Sequence, residues 1–364
     1  MTLFARVSRC EPRSLTHIRN KLSFAKISDT TFLMGEKPEL QHKKAIDMHV
    51  HIVGNGSGGT GCWMRVTGFH RPLAWFMLNH IGLPLNALSG DLDRLYVNRL
   101  LELVRTSSLD RIVILAHEQV YDKHGSLMPG IGSMYVPNNY VLQLAQKHSE
   151  FLPAVSIHPA RADALDELDR CVADGAVMLK ILPNCQNIDC SDRRYQKFWE
   201  RMAEIGLPLL AHTGGEHTVP VVRKEFSNPR ILELPLECGV TVIAAHSATK
   251  SGLFDADYFS SFEEMTRRFP NFYGDNSAFN TPFRGKHIRE CTQTPLAERM
   301  LHGSDFPVPI DGRWGRMRGA ITADDYRKWG KHPNILERDY QLKRAMGFPE
   351  ESFTRIARLL RIGA

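Results

Sequence analysis

Short apolar runs alternate with amphipathic segments along this chain from residue 45 onward. Near-continuous apolar runs are typical of strands buried on both faces, and the amphipathic segments between them are typical of covering helices. Eight such units predict a closed α/β (β/α)8 TIM barrel with its chemistry at the carboxyl ends of the strands. The alternative is an open doubly wound sheet, but no glycine-rich phosphate-binding pattern follows the first run. The predicted strands lie at 45–52, 111–117, 151–158, 176–182, 207–212, 240–246, 272–277 and 300–305.

Helices are predicted most clearly in three of the intervening segments. Apolar side chains between Leu92 and Val104 recur every three or four residues, and a similar spacing at 198–205 is followed by Gly206. The pair Asn228-Pro229 has the order of an N-cap followed by a first-turn proline. These signals agree with strands and helices alternating along the chain.

The chain divides into three predicted parts, which are an N-terminal extension at 1–44, the barrel at 45–320 and a C-terminal helical segment at 321–364 that packs on the barrel. The first thirty or so residues are rich in Arg, Lys and Ser but lack an apolar signal core, so an extension is favoured over a targeting peptide. After the first strand, residues 54–89 form a long insertion at the catalytic face. This insertion is interpreted either as a substrate-contacting lid or as a covering subdomain without a direct role.

The composition is that of an ordinary globular protein, with 43% hydrophobic and 24% charged residues. The formal charge of +6 is spread along the sequence, which argues against nucleic acid as a partner. No apolar run reaches the length of a membrane span. Seven cysteines without a Cys-x-x-Cys pair fit a reducing compartment, so a cytoplasmic location is expected. The expected partner is a small-molecule substrate, and a homodimer is the base-rate expectation.

Metal-ligating side chains stand at the ends of several predicted strands. His49 and His51 are one residue apart in the first strand, so their side chains share a face. Later strands end in or carry His212, His246 and Asp305. Imidazole and carboxylate groups are the usual ligands of Zn2+ and similar ions, and a barrel brings its strand ends to one site. The sequence therefore predicts a divalent metal site, with zinc favoured and Mn, Fe or Co left open.

The pattern resembles the amidohydrolase superfamily of metal-dependent hydrolases, and within it the amidohydrolase-2 branch that includes aminocarboxymuconate-semialdehyde decarboxylase. The matching motifs are Asp47-Met48-His49-Val50-His51, Ala211-His212-Thr213-Gly214-Gly215-Glu216, Ala245-His246-Ser247 and His302-Gly303-Ser304-Asp305-Phe306-Pro307. The resemblance implies that His49, His51, His212 and Asp305 bind the metal. It also implies that Asp305 takes a proton from metal-activated water. His246 would bind a second metal, or orient water and polarise the substrate in a mononuclear enzyme.

Lys180 lies on one face of the fourth predicted strand, where a buried cation is unfavourable unless it is paired or chemically altered. In binuclear members of the superfamily, a lysine on this strand is carboxylated and bridges two metals. Two interpretations stay open for Lys180: such a carbamate, or an unmodified catalytic lysine that binds a substrate carboxylate or pairs with an acid. The number of metal ions, one or two, depends on this choice.

The favoured function is metal-dependent hydrolysis, in which activated water attacks an amide, ester or lactone carbonyl of a small molecule. The alternative is a metal-dependent non-oxidative decarboxylase, which an arginine near the site would favour because a substrate carboxylate needs a cationic partner. A non-catalytic barrel is disfavoured, since no ligand position is missing. Candidate substrate-contacting residues are Arg65, Arg71, His117, His158, Glu216 and Asn276, with Arg161 as a further arginine.

Overall fold

The computed structural model describes residues 45–66, 68 and 70–360. The predicted extension at 1–44 lies outside these residues. All eight predicted strands are present and confirm the barrel. They are β1 (Ile46–His51), β2 (Arg111–Leu115), β3 (Phe151–Val155), β4 (Met178–Ile181), β5 (Leu209–His212), β6 (Val242–Ala245), β7 (Phe272–Asp275) and β8 (Met300–Leu301).

The strands pair in parallel in the order of the chain, from β1 to β8. The cylinder is completed by a parallel bridge between Val50 and Phe306, the second of which follows β8. The backbone N–H of His51 donates to the carbonyl of Phe306 over 2.8 Å, and that of Met48 donates to the carbonyl of His302 over 3.0 Å. The carboxyl ends of all eight strands therefore face one opening.

Helices cover the outside of the barrel and extend beyond it. The predicted segment at 92–104 forms the helix Leu92–Arg105, and Gly206 ends the helix Gln196–Ile205 in a left-handed conformation with φ of 65°. Among residues 45–360, no helix is long and apolar enough to cross a membrane. The α-helices span His70–His80, Leu92–Arg105, Asn138–Lys147, Ala164–Ala173, Pro183–Gln186, Gln196–Ile205, Glu233–Glu237, Phe259–Arg268, Ile288–Cys291, Gly312–Met317, Ala323–Trp329, Ile335–Ala345, Glu350–Thr354 and Ile356–Leu359. Turns of 3₁₀ helix span Leu85–Ser89, Arg193–Tyr195, Lys224–Ser227, Pro229–Leu232, His246–Ala248, Arg284–His287 and Leu296–Arg299.

The lower half of the barrel interior is apolar. Side chains such as Met48, Met178 and Ile243 form a buried cluster inside the cylinder. Ile356 and Leu360 belong to the same cluster, so the helix Ile356–Leu359 and the residue after it pack against the bottom of the barrel. Because this half is filled with hydrocarbon, polar chemistry is confined to the opposite end.

A register shift in β1 decides which side chains point into the upper half. Asp47 pairs with Ile112, whereas Val50 pairs with Ile114, so β1 carries one extra residue between these pairs. Strict alternation would place His49 on the opposite face from Ile46 and Met48, which belong to the interior cluster. The bulge resets the alternation, so that His49 and His51 follow Met48 into the barrel.

The insertion after β1 covers the carboxyl end of the barrel. It contains the helix His70–His80, and its segment Trp63–Met64 forms a two-stranded antiparallel ribbon with Met134–Tyr135 from the loop after β2. This ribbon ties the insertion to the barrel loops, and the helix carries the exposed side chains of Trp75 and Phe76 on its outer side.

Candidate metal centre

His49, His51 and Asp305 converge at the end of the barrel. The Nε2 atoms of the two histidines are 3.2 Å apart, and each lies 3.3 Å from Oδ1 of Asp305. His49 is fully buried, while the side chain of His51 is 21% exposed toward the opening. Two imidazoles and a carboxylate at these distances form a cluster that can share one cation.

His246 and His212 complete a ring of imidazoles around this point. The His246 ring lies 5.2 Å from that of His49 and 5.1 Å from that of His212, measured between centroids. One ligand atom each from His49, His246 and Asp305 lies within 4.8 Å of the other two. The structure therefore brings together the four histidines and the aspartate that the resemblance implicates in metal binding.

Lys180 enters the same cluster from β4. Its side chain is almost completely buried, and its Nζ atom lies 3.3 Å from Nε2 of His49. Burial lowers the pKa of Lys180 to about 8, because the charged amine loses its hydration. Within the described residues, Lys180 forms no ion pair with a carboxylate closer than 4 Å, so pairing with an acid is not the arrangement found.

The protonation states at the centre suit metal ligation. Burial, and next the nearby Lys180 charge, lower the pKa of His49 to about 4, so its imidazole is neutral at pH 7. Burial acts to raise the pKa of Asp305, but the neighbouring His246 and His49 hold it well below its usual range. A neutral imidazole beside an ionised carboxylate is the state in which both coordinate a cation.

Asp275, at the end of β7, fixes the orientation of two of these histidines. Its Oδ2 atom accepts a hydrogen bond from Nδ1 of His49 over 2.7 Å, and its Oδ1 atom accepts one from the backbone N–H of His246 over 2.6 Å. Since Nδ1 of His49 carries the proton, its Nε2 atom presents a lone pair to the centre. Sequence reasoning missed Asp275, although its position near the carboxyl end of the predicted strand 272–277 was available as a signal.

Replacing Asp275 with Asn is expected to weaken metal binding about 10- to 100-fold, because the His49 ring loses its charged hydrogen-bond acceptor. Titration of metal-free protein against a coloured chelator measures this effect. Asp257→Asn is a matched control, since Asp257 also pairs with a histidine, His287, over 3.0 Å but outside the centre. Equal affinities in the wild-type protein and both variants would contradict the assigned role of Asp275.

The backbone is strained at two of the candidate ligands. His246 and Asp305 have φ values of 60° and 67°, in the left-handed region that residues other than glycine rarely adopt. Two residues before Asp305, Gly303 leaves room for the close approach of β1, because a Cβ atom there would lie 2.6 Å from Cβ of His49. Strained residues of this kind cluster at functional sites, where the surrounding structure holds them in place.

A cavity of about 230 Å3 opens above the centre. Its walls include His51, His212, His246 and Asp305, so its floor is the cluster of candidate ligands. The other walls are mainly apolar and include Leu73 and Met77 from the helix of the insertion. The insertion therefore contributes directly to the cavity, as the lid interpretation predicts.

The structure places the candidate substrate residues in two groups. Arg65, His117 and Glu216 line the cavity, but Glu216 uses Oε1 to accept hydrogen bonds from Thr218. His117 is buried, and burial followed by the nearby His51 lowers its pKa to about 3.

The remaining candidates do not line the cavity. Arg71 is exposed on the helix of the insertion, and Arg161 forms ion pairs with Glu118 and Asp163. His158 is buried, and its Nδ1 atom accepts from the backbone N–H of Ala160. Asn276 is also buried and accepts a hydrogen bond from the backbone of Gly303. The side chains of His158 and Asn276 are therefore buried in the loops that support the site.

Arg284 is a second residue that sequence reasoning missed. It begins the 3₁₀ turn Arg284–His287 after β7, is only 4% exposed, and lines the cavity. No motif marks it, because it lies nine residues beyond the end of the strand at Asp275. Only the path of the loop brings its guanidinium to the cavity wall.

Comparison with known proteins identifies relatives at the level of the family and the fold. The model of a family described as amidohydrolase matches residues 46–338. A search of curated proteins finds no match to this chain.

Several solved structures are similar to this chain at low sequence identity, and the first two below share its fold. An uncharacterized TIM-barrel protein from Bordetella bronchiseptica is 18% identical, has a TM-score of 0.53, and is matched over 82% of this chain and 99% of its own. A Pseudomonas putida protein, provisionally named a 2-pyrone-4,6-dicarboxylic acid hydrolase, is 14% identical with a TM-score of 0.53, over 89% of this chain and 99% of its own. A 5-carboxyvanillate decarboxylase from Sphingomonas paucimobilis is 12% identical with a TM-score of 0.48, over 88% of this chain and 99% of its own.

Proposed function

Since the chain belongs to the amidohydrolase family, we propose that it is a metal-dependent hydrolase that cleaves an amide, ester or lactone of a small molecule. The observation that carries this proposal is the convergence of His49, His246 and Asp305, whose ligand atoms lie within 4.8 Å of one another at the floor of a cavity. A buried cluster of neutral imidazoles and an ionised carboxylate beneath a substrate-sized opening is the arrangement that metal-assisted hydrolysis requires.

The donor set fits a divalent ion. The Nε2 lone pair of His49 lies 3.2 Å from Nε2 of His51, and Nε2 of His212 is buried without a hydrogen-bond partner. A buried nitrogen without a partner is unfavourable, and a cation bound beside these atoms would provide a partner for Nε2 of His212. We propose that His49, His51, His212 and Asp305 hold the ion, and that His246 lies beside it. When bound, such an ion would polarise a substrate carbonyl and make water more acidic.

The side chains around the proposed ion have different proposed roles. Asp305 is ionised, and its side chain is 10% exposed at the cavity floor, so its carboxylate can accept a proton from water and return it to the leaving group. The Ser277 hydroxyl donates to Asp275 and lies 2.7 Å from Nδ1 of His246, so Nε2 of His246 is left with a lone pair that can accept a hydrogen bond from water or from a donor group of the substrate. The apolar walls exclude bulk water from around the reacting carbonyl.

We propose one ion per chain and an unmodified amine on Lys180. The support is that Nζ of Lys180 lies 3.3 Å from Nε2 of His49, a contact in which an unmodified amine donates a hydrogen bond. Elemental analysis of protein purified without chelators is expected to find one equivalent, and chelation is expected to abolish turnover until metal is restored. Two equivalents that fall to one when bicarbonate is excluded would contradict this proposal and favour a carbamate on Lys180.

Decarboxylation is a second candidate, because two arginines, Arg65 and Arg284, line the cavity and could hold a substrate carboxylate. The two functions give different products from a panel of small lactones, esters, amides and aromatic acids. Hydrolysis in 18O-labelled water places the label in the product acid, whereas decarboxylation releases CO2 without incorporating the label. Label incorporation that is lost on chelation supports the hydrolase. Release of CO2 alone overturns the hydrolase in favour of the lyase.

A further inference from the structure

Glu216 follows β5 in the chain, four residues after the candidate ligand His212. Its side chain is 9% exposed and lines the cavity, and its Oε2 atom lies 3.6 Å from Nε2 of His212. A hydrogen bond from an imidazole to a carboxylate would be shorter, at about 2.7–2.9 Å. Nε2 of His212 has no hydrogen-bond partner among the residues that the structure describes. The two atoms therefore face each other without forming a hydrogen bond.

The other carboxylate oxygen of Glu216 is fixed by its own loop. Oε1 accepts hydrogen bonds from the backbone N–H of Thr218 over 2.5 Å and from that of Val219 over 3.2 Å, and it also accepts one from the Thr218 hydroxyl. Three donors on one oxygen hold the carboxylate in a single orientation. The loop therefore directs the lone pairs of Oε2 toward His212.

The spacing of Oε2 and Nε2 resembles the spacing within the candidate metal centre. The Nε2 atoms of His49 and His51 are 3.2 Å apart, and each lies 3.3 Å from Oδ1 of Asp305. Nitrogen and oxygen ligands bound to one ion at about 2.0–2.2 Å lie roughly 3–3.6 Å from one another. The pair formed by Glu216 and His212, at 3.6 Å, can therefore bind the same cation.

The charge of Glu216 also acts on the groups around the centre. Its carboxylate attracts Lys180, whose Nζ atom contacts Nε2 of His49, and Arg284 on the cavity wall. Without Glu216, the proposed ligands would offer the ion neutral imidazoles and one carboxylate, that of Asp305. A second carboxylate is favourable there, because a buried divalent cation needs anionic partners to offset the hydration that it loses.

We infer that Glu216 is a further ligand of the divalent ion and binds it through Oε2, beside His212. This inference rests on the proposed function only in taking the cluster as a metal site, and it holds for hydrolysis and for decarboxylation. Glu216, which the sequence predicts to contact substrate, then contacts the metal instead. A purely structural Glu216 would stabilise the loop after β5 through Thr218 and Val219 and would have no effect on metal affinity.

A Glu216→Gln variant tests the role of Oε2 alone. The amide oxygen can keep the three hydrogen bonds at Oε1, so the NH2 group takes the place of Oε2 and can donate to Nε2 of His212. The metal-free variant should therefore unfold in urea at the wild-type midpoint or above it. It should bind Zn2+ at least about tenfold more weakly, because a charged ligand is lost and a second ligand is occupied. Competition for Zn2+ between metal-free protein and a coloured chelator measures the affinity.

Glu225→Gln is the matched control, because Glu225 lies in the same segment after β5 but pairs with Arg223 at the surface and is 60% exposed. It should keep the wild-type affinity for Zn2+. The visible spectrum of protein saturated with Co2+ gives a second readout, since its absorption depends on the number and type of ligands. Glu216→Gln should change this spectrum, whereas Glu225→Gln should not.

Glu216→Asp, which keeps the charge on a shorter side chain, should also weaken Zn2+ binding and serves as the test if Glu216→Gln does not fold. Zn2+ affinities and Co2+ spectra of the Glu216 variants that equal those of the wild-type protein would overturn the inference and leave the metal centre in place. Failure of the wild-type protein itself to bind Zn2+ or Co2+ would instead overturn the metal centre as a whole, and the proposed function with it.

Discussion

An Asp305→Asn variant is expected to turn over substrate about 10²- to 10⁴-fold more slowly than the wild-type protein, because the proposed proton acceptor is removed. The substituted amide would retain the shape of the side chain but would carry neither the charge nor the basicity of the carboxylate. The main effect is expected in kcat rather than KM, since Asp305 lies at the cavity floor beside His49 and His51 and not on the walls that hold the substrate body. Steady-state kinetics on the first substrate found by the product assay measures it.

The same variant is expected to bind metal less tightly, so its kinetics must be measured at saturating metal. Asp169→Asn is a suitable control, because Asp169 pairs with Arg201 on the surface with a side chain that is 49% exposed. That variant should retain wild-type kcat. If Asp305→Asn with bound metal also retained wild-type kcat, the assignment of the proton transfer to Asp305 would be wrong.

A Lys343→Met variant is expected to lose about 3–5 kcal/mol of unfolding free energy, the largest stability effect we expect from any single change. Lys343 and Asp339 are fully buried on the helix Ile335–Ala345, and their charged atoms are 2.6 Å apart. Nζ of Lys343 also donates to the carbonyl of Gly303, over 2.5 Å. The change therefore leaves a buried carboxylate unpaired and releases the segment that leads to Asp305.

Urea unfolding monitored by circular dichroism measures this loss. Lys286→Met is the matched control, because Lys286 pairs with Asp257 at the surface and its side chain is 57% exposed, so less than about 1 kcal/mol should be lost. The double variant Asp339→Asn/Lys343→Met should recover part of the stability, since no buried charge is left without a partner. Similar losses for Lys343→Met and Lys286→Met would show that burial does not decide the importance of the pair.

The interior of the barrel has an apolar half that contributes to stability and a polar half that carries the candidate site. Hydrocarbon fills the lower half, where Ile356 and Leu360 close the interior, and the polar groups gather at the carboxyl ends of the strands. Lys343 connects the helix Ile335–Ala345 to the loop after β8, because its Nζ atom donates to the carbonyl of Gly303. Changes in the C-terminal helices are therefore expected to reach the site through Gly303.

The sequence by itself determined the strands, their order and the residues at their ends. Alternating apolar runs and helical spacing are local signals, so β1 to β8 could be predicted from short windows. Since the carboxyl ends of parallel strands meet at one edge, the convergence of His49, His212 and Asp305 followed from the fold class. The motif spacing also identified the family, and the family match over residues 46–338 agrees with it.

Only the tertiary structure decided how these groups face one another. The bulge in β1 turns His49 inward, the hydrogen bond from His49 to Asp275 joins residues 226 positions apart, and a loop carries Arg284 to the cavity. His158 and Asn276 also end or follow predicted strands, but their side chains are buried in supporting loops. The physical reason is that hydrophobic periodicity shows only which face of its own helix or strand a residue occupies. Its partner and its direction at a strand end depend on loops and bulges whose geometry is set by contacts between distant parts of the chain.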